Sequence, residues 1–292
     1  MEKLKVLGLM AVLSMLMVML GGYIGGSGGA MMFFVMSLGM NFFMYWFSDK
    51  IVLRQYRAHV VRPGEEGGRF DELYAMIDRL RQRAGLPMPV VAVSEQMQPN
   101  AFATGRNPAH AVVCVTRGMW EMVQAGQMTM DELEGVMAHE LAHVKHYHML
   151  VGTVAASMAG AIMLIARMSF FFGGRDDDRN PLGMLLMMIL APVAAMLIRA
   201  AISKRNEFEA DAGGALISGK PLALASALQR IERIAEHRPM HLSPAASHLA
   251  IINPLAGVGG LMSAFRTHPP TEERVARLQQ IAAGVGAQTL GR

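Results

Sequence analysis

The chain has 292 residues, enough for one large domain or two small ones, and 52% of them are hydrophobic, with 28 Met and a mean hydropathy of +0.29. That is too apolar for an ordinary soluble protein, so a membrane protein is the first expectation. The net charge of +4 does not point to nucleic acid, because Lys and Arg are scattered and no basic motif is interleaved with aromatics, and a single cysteine excludes an internal disulfide and a thiolate zinc cage.

Segments 6–24 and 30–47 are each long enough to cross a hydrocarbon core about 30 Å thick, and GGYIGGSGGA between them reads as a turn. They predict a transmembrane hairpin over 1–48. The start MEKLK resembles a secretory signal, but no A-x-A cleavage site follows and a second span comes at once. Segments 149–166 and 182–198 form a second apolar pair, giving about four spans in all. Lys3, Lys5, Lys50, Arg54, Lys145 and Lys204 flank one side, whereas Arg167, Arg175 and Arg179 sit among aspartates on the other. The richer side is expected to be cytoplasmic, with both termini. Segment 49–292, interrupted at about 149–198, would then be one cytoplasmic domain.

Within that domain, Leu73, Met76, Ile77, Leu80 and Ala84 recur at helical spacing, and Gly85 and Pro87 end the pattern. VVAV at 90–93 and HAVVCVT at 110–116 read as short strands, with NAFATGRNP between them as turn and strand edge. Cys114 is expected to be a small buried hydrophobe. A helix from about Asp131 is expected to run straight into the third span. Further helices follow from EFEADAGGALIS, from 221–236 and from 271–283, the tail beyond is expected to fray, and no internal repeat is visible. The fold class predicted is mainly α with a small β-sheet.

His139 and His143 in AHELAHV lie one helical turn apart, so two imidazoles can reach one zinc ion, and Glu140 beside them can take a proton from water. A catalytic zinc normally takes three protein ligands. His146 lies on the same face but about 4.5 Å too far along a straight helix. His146 and His148 are therefore expected to be solvated or membrane-interface residues. Glu207 is the better third ligand, because the second apolar pair returns it to the membrane face that carries His143. Asp211, one turn beyond Glu207, could orient a ligating imidazole through its second N–H.

With AGLPMPVVAV, NAFATGRNP, AHELAHV, EFEAD and THPPTEERVARL in this order, the chain resembles the HtpX family of membrane zinc metalloproteases, relatives of the prenyl-protein CAAX-type proteases. The resemblance implies a zincin-like (gluzincin) domain with one Zn2+ per chain on His139, His143 and Glu207, and Glu140 as general base. It also implies that His268 and Arg274 stabilise the tetrahedral intermediate and support the site. Asn100, Ala101, Phe102, Ala103, Thr104 and Gly105 would form a substrate-binding edge. Unfolded or damaged membrane proteins would be the substrates, in quality control and stress response at a bacterial-type inner membrane, with the lipid bilayer as the other partner. The chain departs from the family at His146 to His148, where Asn-x-Asp is common, and at Lys204 and Asn206, where Arg is common.

Overall fold

The computed structural model describes residues 2–155, 203–237 and 269–284. The third expected span beyond 155, the fourth span, the loop between them, His268 and the tail lie outside the described residues.

Helix α1, Glu2–Gln55, is folded back on itself at Gly25 and Gly26. Gly26 has φ 58° and ψ −146°, a backbone region that only glycine enters without strain, which is why the turn falls there. The two arms touch: the Asn41 side-chain amide donates to Met10 O at 3.2 Å and to Ser14 Oγ at 2.9 Å. Stretches Leu4–Tyr23 and Gly25–Gln55 are both long and apolar enough to cross a membrane, and most of each stays uncovered by protein, unlike the core helix of a soluble domain. The N-terminal hairpin is thus present as expected.

Strands β1 (Ala58–Val60), β2 (Val90–Ser94), β3 (Ala101–Gly105) and β4 (Ala111–Thr116) form one sheet in the order β1-β2-β4-β3. β2 and β4 run parallel, and the outer pairs are antiparallel. Helices α2 (Asp71–Ala84), α3 (Arg117–Gln124) and α4 (Met130–Lys145) come between and after the strands, followed by α5 (Lys204–Ser218), α6 (Pro221–His237) and α7 (Thr271–Ala282). The protein is mainly helical with a small mixed sheet. In α2 the residues buried are Leu73, Met76, Ile77, Leu80 and Ala84, the stripe anticipated from spacing, and Gly85 ends the helix at φ 70°.

α4 is buried on nearly every side, with Leu133, Val136, Met137, Leu141 and Val144 in the main core. Each such side chain contributes roughly 1.5–3 kcal/mol by leaving water. Its start is fixed by a capping box. Glu132 N donates to Thr129 Oγ1 at 3.1 Å and Thr129 N donates to Glu132 Oε2 at 2.7 Å, worth about 1 kcal/mol. The other oxygen of Glu132 accepts from Ser226 Oγ and from Arg230, locking α4 to α6. α4 does not continue straight on. It stops at Lys145, turns at His146 and Tyr147, where Tyr147 takes φ 61°, and helix resumes over 148–155.

Candidate metal centre

α4 and α5 cross closely, and Gly214 makes the crossing possible: a Cβ there would stand 2.8 Å from both Cα and N of His139. Because backbone cannot yield as a flexible side chain can, any larger residue would drive the helices apart. The crossing brings Glu207, on the first turn of α5, over the histidines of α4.

His139 Nε2 and His143 Nε2 are 3.1 Å apart. Glu207 Oε1 lies 3.5 Å from His143 Nε2, and its Oε2 lies 3.9 Å from His139 Nε2. A tetrahedral zinc with bonds of 2.0–2.1 Å would separate its ligand atoms by about 3.3 Å, close to this spacing. Among the described residues this is the one cluster of His, Cys, Asp or Glu that could hold a metal ion. His139 and Glu207 are buried, and the exposed fraction of the His143 side chain is only 14%.

The histidines are oriented from behind. His139 Nδ1 is 2.9 Å from Asp211 Oδ1, an ion-pair contact that favours the proton on Nδ1 and leaves the Nε2 lone pair facing Glu207. Arg274 in turn grips Asp211 with two bonds, Nε to Oδ2 at 2.8 Å and Nη2 to Oδ1 at 2.7 Å, while its Nη1 stands 3.6 Å from Glu207 Oε2. Burial alone would raise the Asp211 carboxyl, but the Arg274 charge outweighs it and holds the group well below the usual carboxylate range. Burial likewise opposes the charge on His139, yet the Asp211 bond and charge lift it above the ordinary imidazole value. His143 is pushed well below that value by burial, which keeps it neutral.

His143 has a partner of its own that a straight helix would not provide. The turn at residues 146–147 carries His148 back, so that its Nδ1 lies 3.3 Å from His143 Nδ1. His148 is 8% exposed, and its Nε2 lies 3.7 Å from Glu209, which also holds His146 Nδ1 at 3.3 Å. The expectation of a solvated or interfacial His148 therefore fails, for the reason that α4 breaks where a continuous helix was expected. His146 remains half-exposed. The departure from Asn-x-Asp was the sequence signal, since it marked position 148 as a place for a polar partner.

Glu140 is buried, and burial pushes its carboxyl up to about 7; His139 pulls it down, Glu207 pushes it up, and a hydrogen bond from the Ala103 backbone N–H pulls it down. That bond ties the base to β3. Asn100 O accepts Thr116 N at 2.9 Å, so positions 100, 102 and 104 pair with β4 while 101, 103 and 105 face the outer edge. No strand pairs with that edge among the described residues, although all of β3 is buried. Cys114, on β4 opposite Phe102, is a buried core residue as expected.

Residues 68–282 match Peptidase family M48. The chain belongs to that family. A "Protease HtpX homolog" of Gemmatimonas aurantiaca is 52% identical over 288 residues, covering 97% of this chain and all of its own. One from Salinibacter ruber is 51% identical over 283 residues, covering 97% and 99%. The solved structure of Ste24p from S. mikatae shares 18% identity at a TM-score of 0.46, covering 84% of this chain, which spans 57% of that one. The M48 family is zinc-dependent, and this member is a membrane-associated metalloprotease with a His139, His143 and Glu207 cluster suited to a metal.

Proposed function

We propose that this M48 chain is a multi-pass zinc endopeptidase that cuts misfolded or damaged membrane proteins on the cytoplasmic side of a bacterial-type inner membrane, as part of quality control and stress response. The observation that carries the hydrolytic reading is the placement of Glu140, a buried carboxylate adjacent in sequence to His139 and beside the His139, His143 and Glu207 cluster, where it can take a proton from water and return it.

In this reading His139, His143 and Glu207 hold one zinc ion. Zinc bound there supplies Lewis acidity to water and to the scissile carbonyl. Glu140 accepts the proton of the attacking water and delivers it to the leaving amide nitrogen, so no acyl-enzyme forms. Asp211 keeps His139 in its Nδ1–H tautomer, and Arg274 acts through Asp211 by holding it charged. His268 would stabilise charge on the carbonyl oxygen, as the HtpX likeness implies. Asn100 to Gly105 would pair with an extended substrate through backbone bonds, which predicts broad sequence tolerance.

Lys5 at one end of the hairpin and Lys50 at the other support a cytoplasmic location for both ends of α1. Domain limits of 1–48 for the hairpin and 49–292 for the protease belong to this reading, and α1 itself continues past residue 48 to Gln55. The test is removal of metal by chelator from detergent-purified protein and its restoration with zinc. Cleavage of unfolded casein should vanish and return, and cleavage that persists without metal would refute the proposal.

A further inference from the structure

Contacts of β3 and of the helix over 148–155 relate the site to the apolar hairpin of α1. From Gly26 to Trp46 the second arm of α1 rises about 30 Å at 1.5 Å per residue, one hydrocarbon thickness. Phe42, Phe43 and Trp46 are exposed along its last turns, and Lys50 Nζ lies 5.4 Å from the Phe47 ring. Such an aromatic and basic belt marks the interface. The first arm agrees, because Asn41 meets Met10 and Ser14, which puts the N-terminal end of that arm, with Lys5, opposite Trp46.

β3 is attached to this boundary. The Arg106 guanidinium, one residue past the strand, stands 4.6 Å over the Trp46 ring, and its Nη1 donates to Trp46 O at 3.4 Å. Thr104 Oγ1 lies 3.0 Å from Thr153 Oγ1, both buried. Thr153 belongs to the helical turns over 148–155, where Leu150, Val151 and Val154 pack against Val6, Leu9 and Met44 of the hairpin. The C-terminal end of β3 thus lies at the level where the hairpin enters the apolar layer. Ala103, the next residue back, lies on β3, which packs directly against α4, the helix that carries Glu140. Three residue steps from Ala103 to Arg106 span about 10 Å, so the stretch of β3 beside the base stands within roughly that distance of the Arg106 backbone.

We propose that the site acts on peptide bonds within about five residues of the bilayer, in the extended segment that leads out of a substrate's own transmembrane helix. Five extended residues reach about 17 Å, enough to run from a helix end along β3 past Glu140. The inference rests on the protease reading and adds the class of segment it would take. The burial of β3 favours this occupant over a freely diffusing chain. A segment tethered beside the edge competes for it at an effective concentration on the order of mM, and this offsets the cost of uncovering the strand.

The test uses the full chain in proteoliposomes, loaded with zinc, with a model substrate of one transmembrane helix followed by an unstructured polar tail of about 60 residues on the Lys50 side. Cleavage positions are read by mass spectrometry against Glu140→Gln as blank, and casein is assayed in parallel. The result expected is a cluster of cuts beginning within about five residues of the helix end. Cuts that begin only beyond about 15 residues, or an intact tail while casein is cleaved, would overturn the depth inference and leave the protease reading standing. Failure to cleave tail and casein alike would remove both.

Discussion

His148 faces His143 nitrogen to nitrogen, Nδ1 to Nδ1 at 3.3 Å. With His143 Nε2 given to a metal, its Nδ1 carries the proton and donates, so His148 Nδ1 must accept and His148 must hold its own proton on Nε2, towards Glu209. His148→Ala should lower zinc affinity about 10- to 100-fold, the usual effect of losing such a partner. His148→Asp, which keeps an acceptor there, should recover most of it. Chelator competition measures both, and equal affinities in all three proteins would deny His148 this role.

Gly214→Ala should damage the metal centre without touching a ligand. The added Cβ meets His139 backbone at 2.8 Å, and the two helices must separate. Overpacking of this kind costs about 1–3 kcal/mol. A lowered melting temperature together with at least tenfold weaker zinc binding is expected. Unchanged zinc affinity would mean that the crossing has slack.

Arg274→Met should be more harmful than its double with Asp211→Asn. Alone, it leaves the buried Asp211 carboxylate without its two guanidinium bonds, a loss of about 3–5 kcal/mol. In the double variant the stranded charge is gone. Denaturation of the three variants measures the coupling, and additive losses would contradict the pairing.

The metal-free protein should show a pH signature of Glu140. Its carboxyl titrates near 7 in the fold against an ordinary 4.5, so the folded state holds the extra proton between those values. Stability from that proton is complete below about 4.5 and is lost as pH rises through 7, where a buried carboxylate remains, a difference on the order of 3 kcal/mol. Glu140→Gln should therefore melt higher than wild type at pH 8, by a margin that shrinks towards pH 5. A margin that does not change with pH would place Glu140 in contact with water.

Much of this was legible in the residues because it follows from periodicity. The α2 stripe and the i, i+4 histidines need only the helical repeat, and the N-terminal hairpin only the length of its apolar runs. Glu207 was reachable because the expected second pair of apolar segments would return the chain to the side it had left. The break after Lys145 was not, since nothing in HVKHYHML forbids another helical turn and only the φ of Tyr147 reveals it. β1 has three residues, too few for alternation to register, and α3 was hidden because its N-cap, Thr116, is also the last residue of β4. Arg274 came only from the family resemblance and not from its spacing, because its burial depends on Asp211, which lies far away in the chain.

The most direct measurement compares wild type with Glu140→Gln, both purified in chelator and then given zinc, for zinc content and for cleavage of unfolded casein. Zinc should bind to both at one per chain, and only the wild type should cleave. Full hydrolysis by Glu140→Gln with zinc in place would contradict the account, because Glu140 would then not be the base.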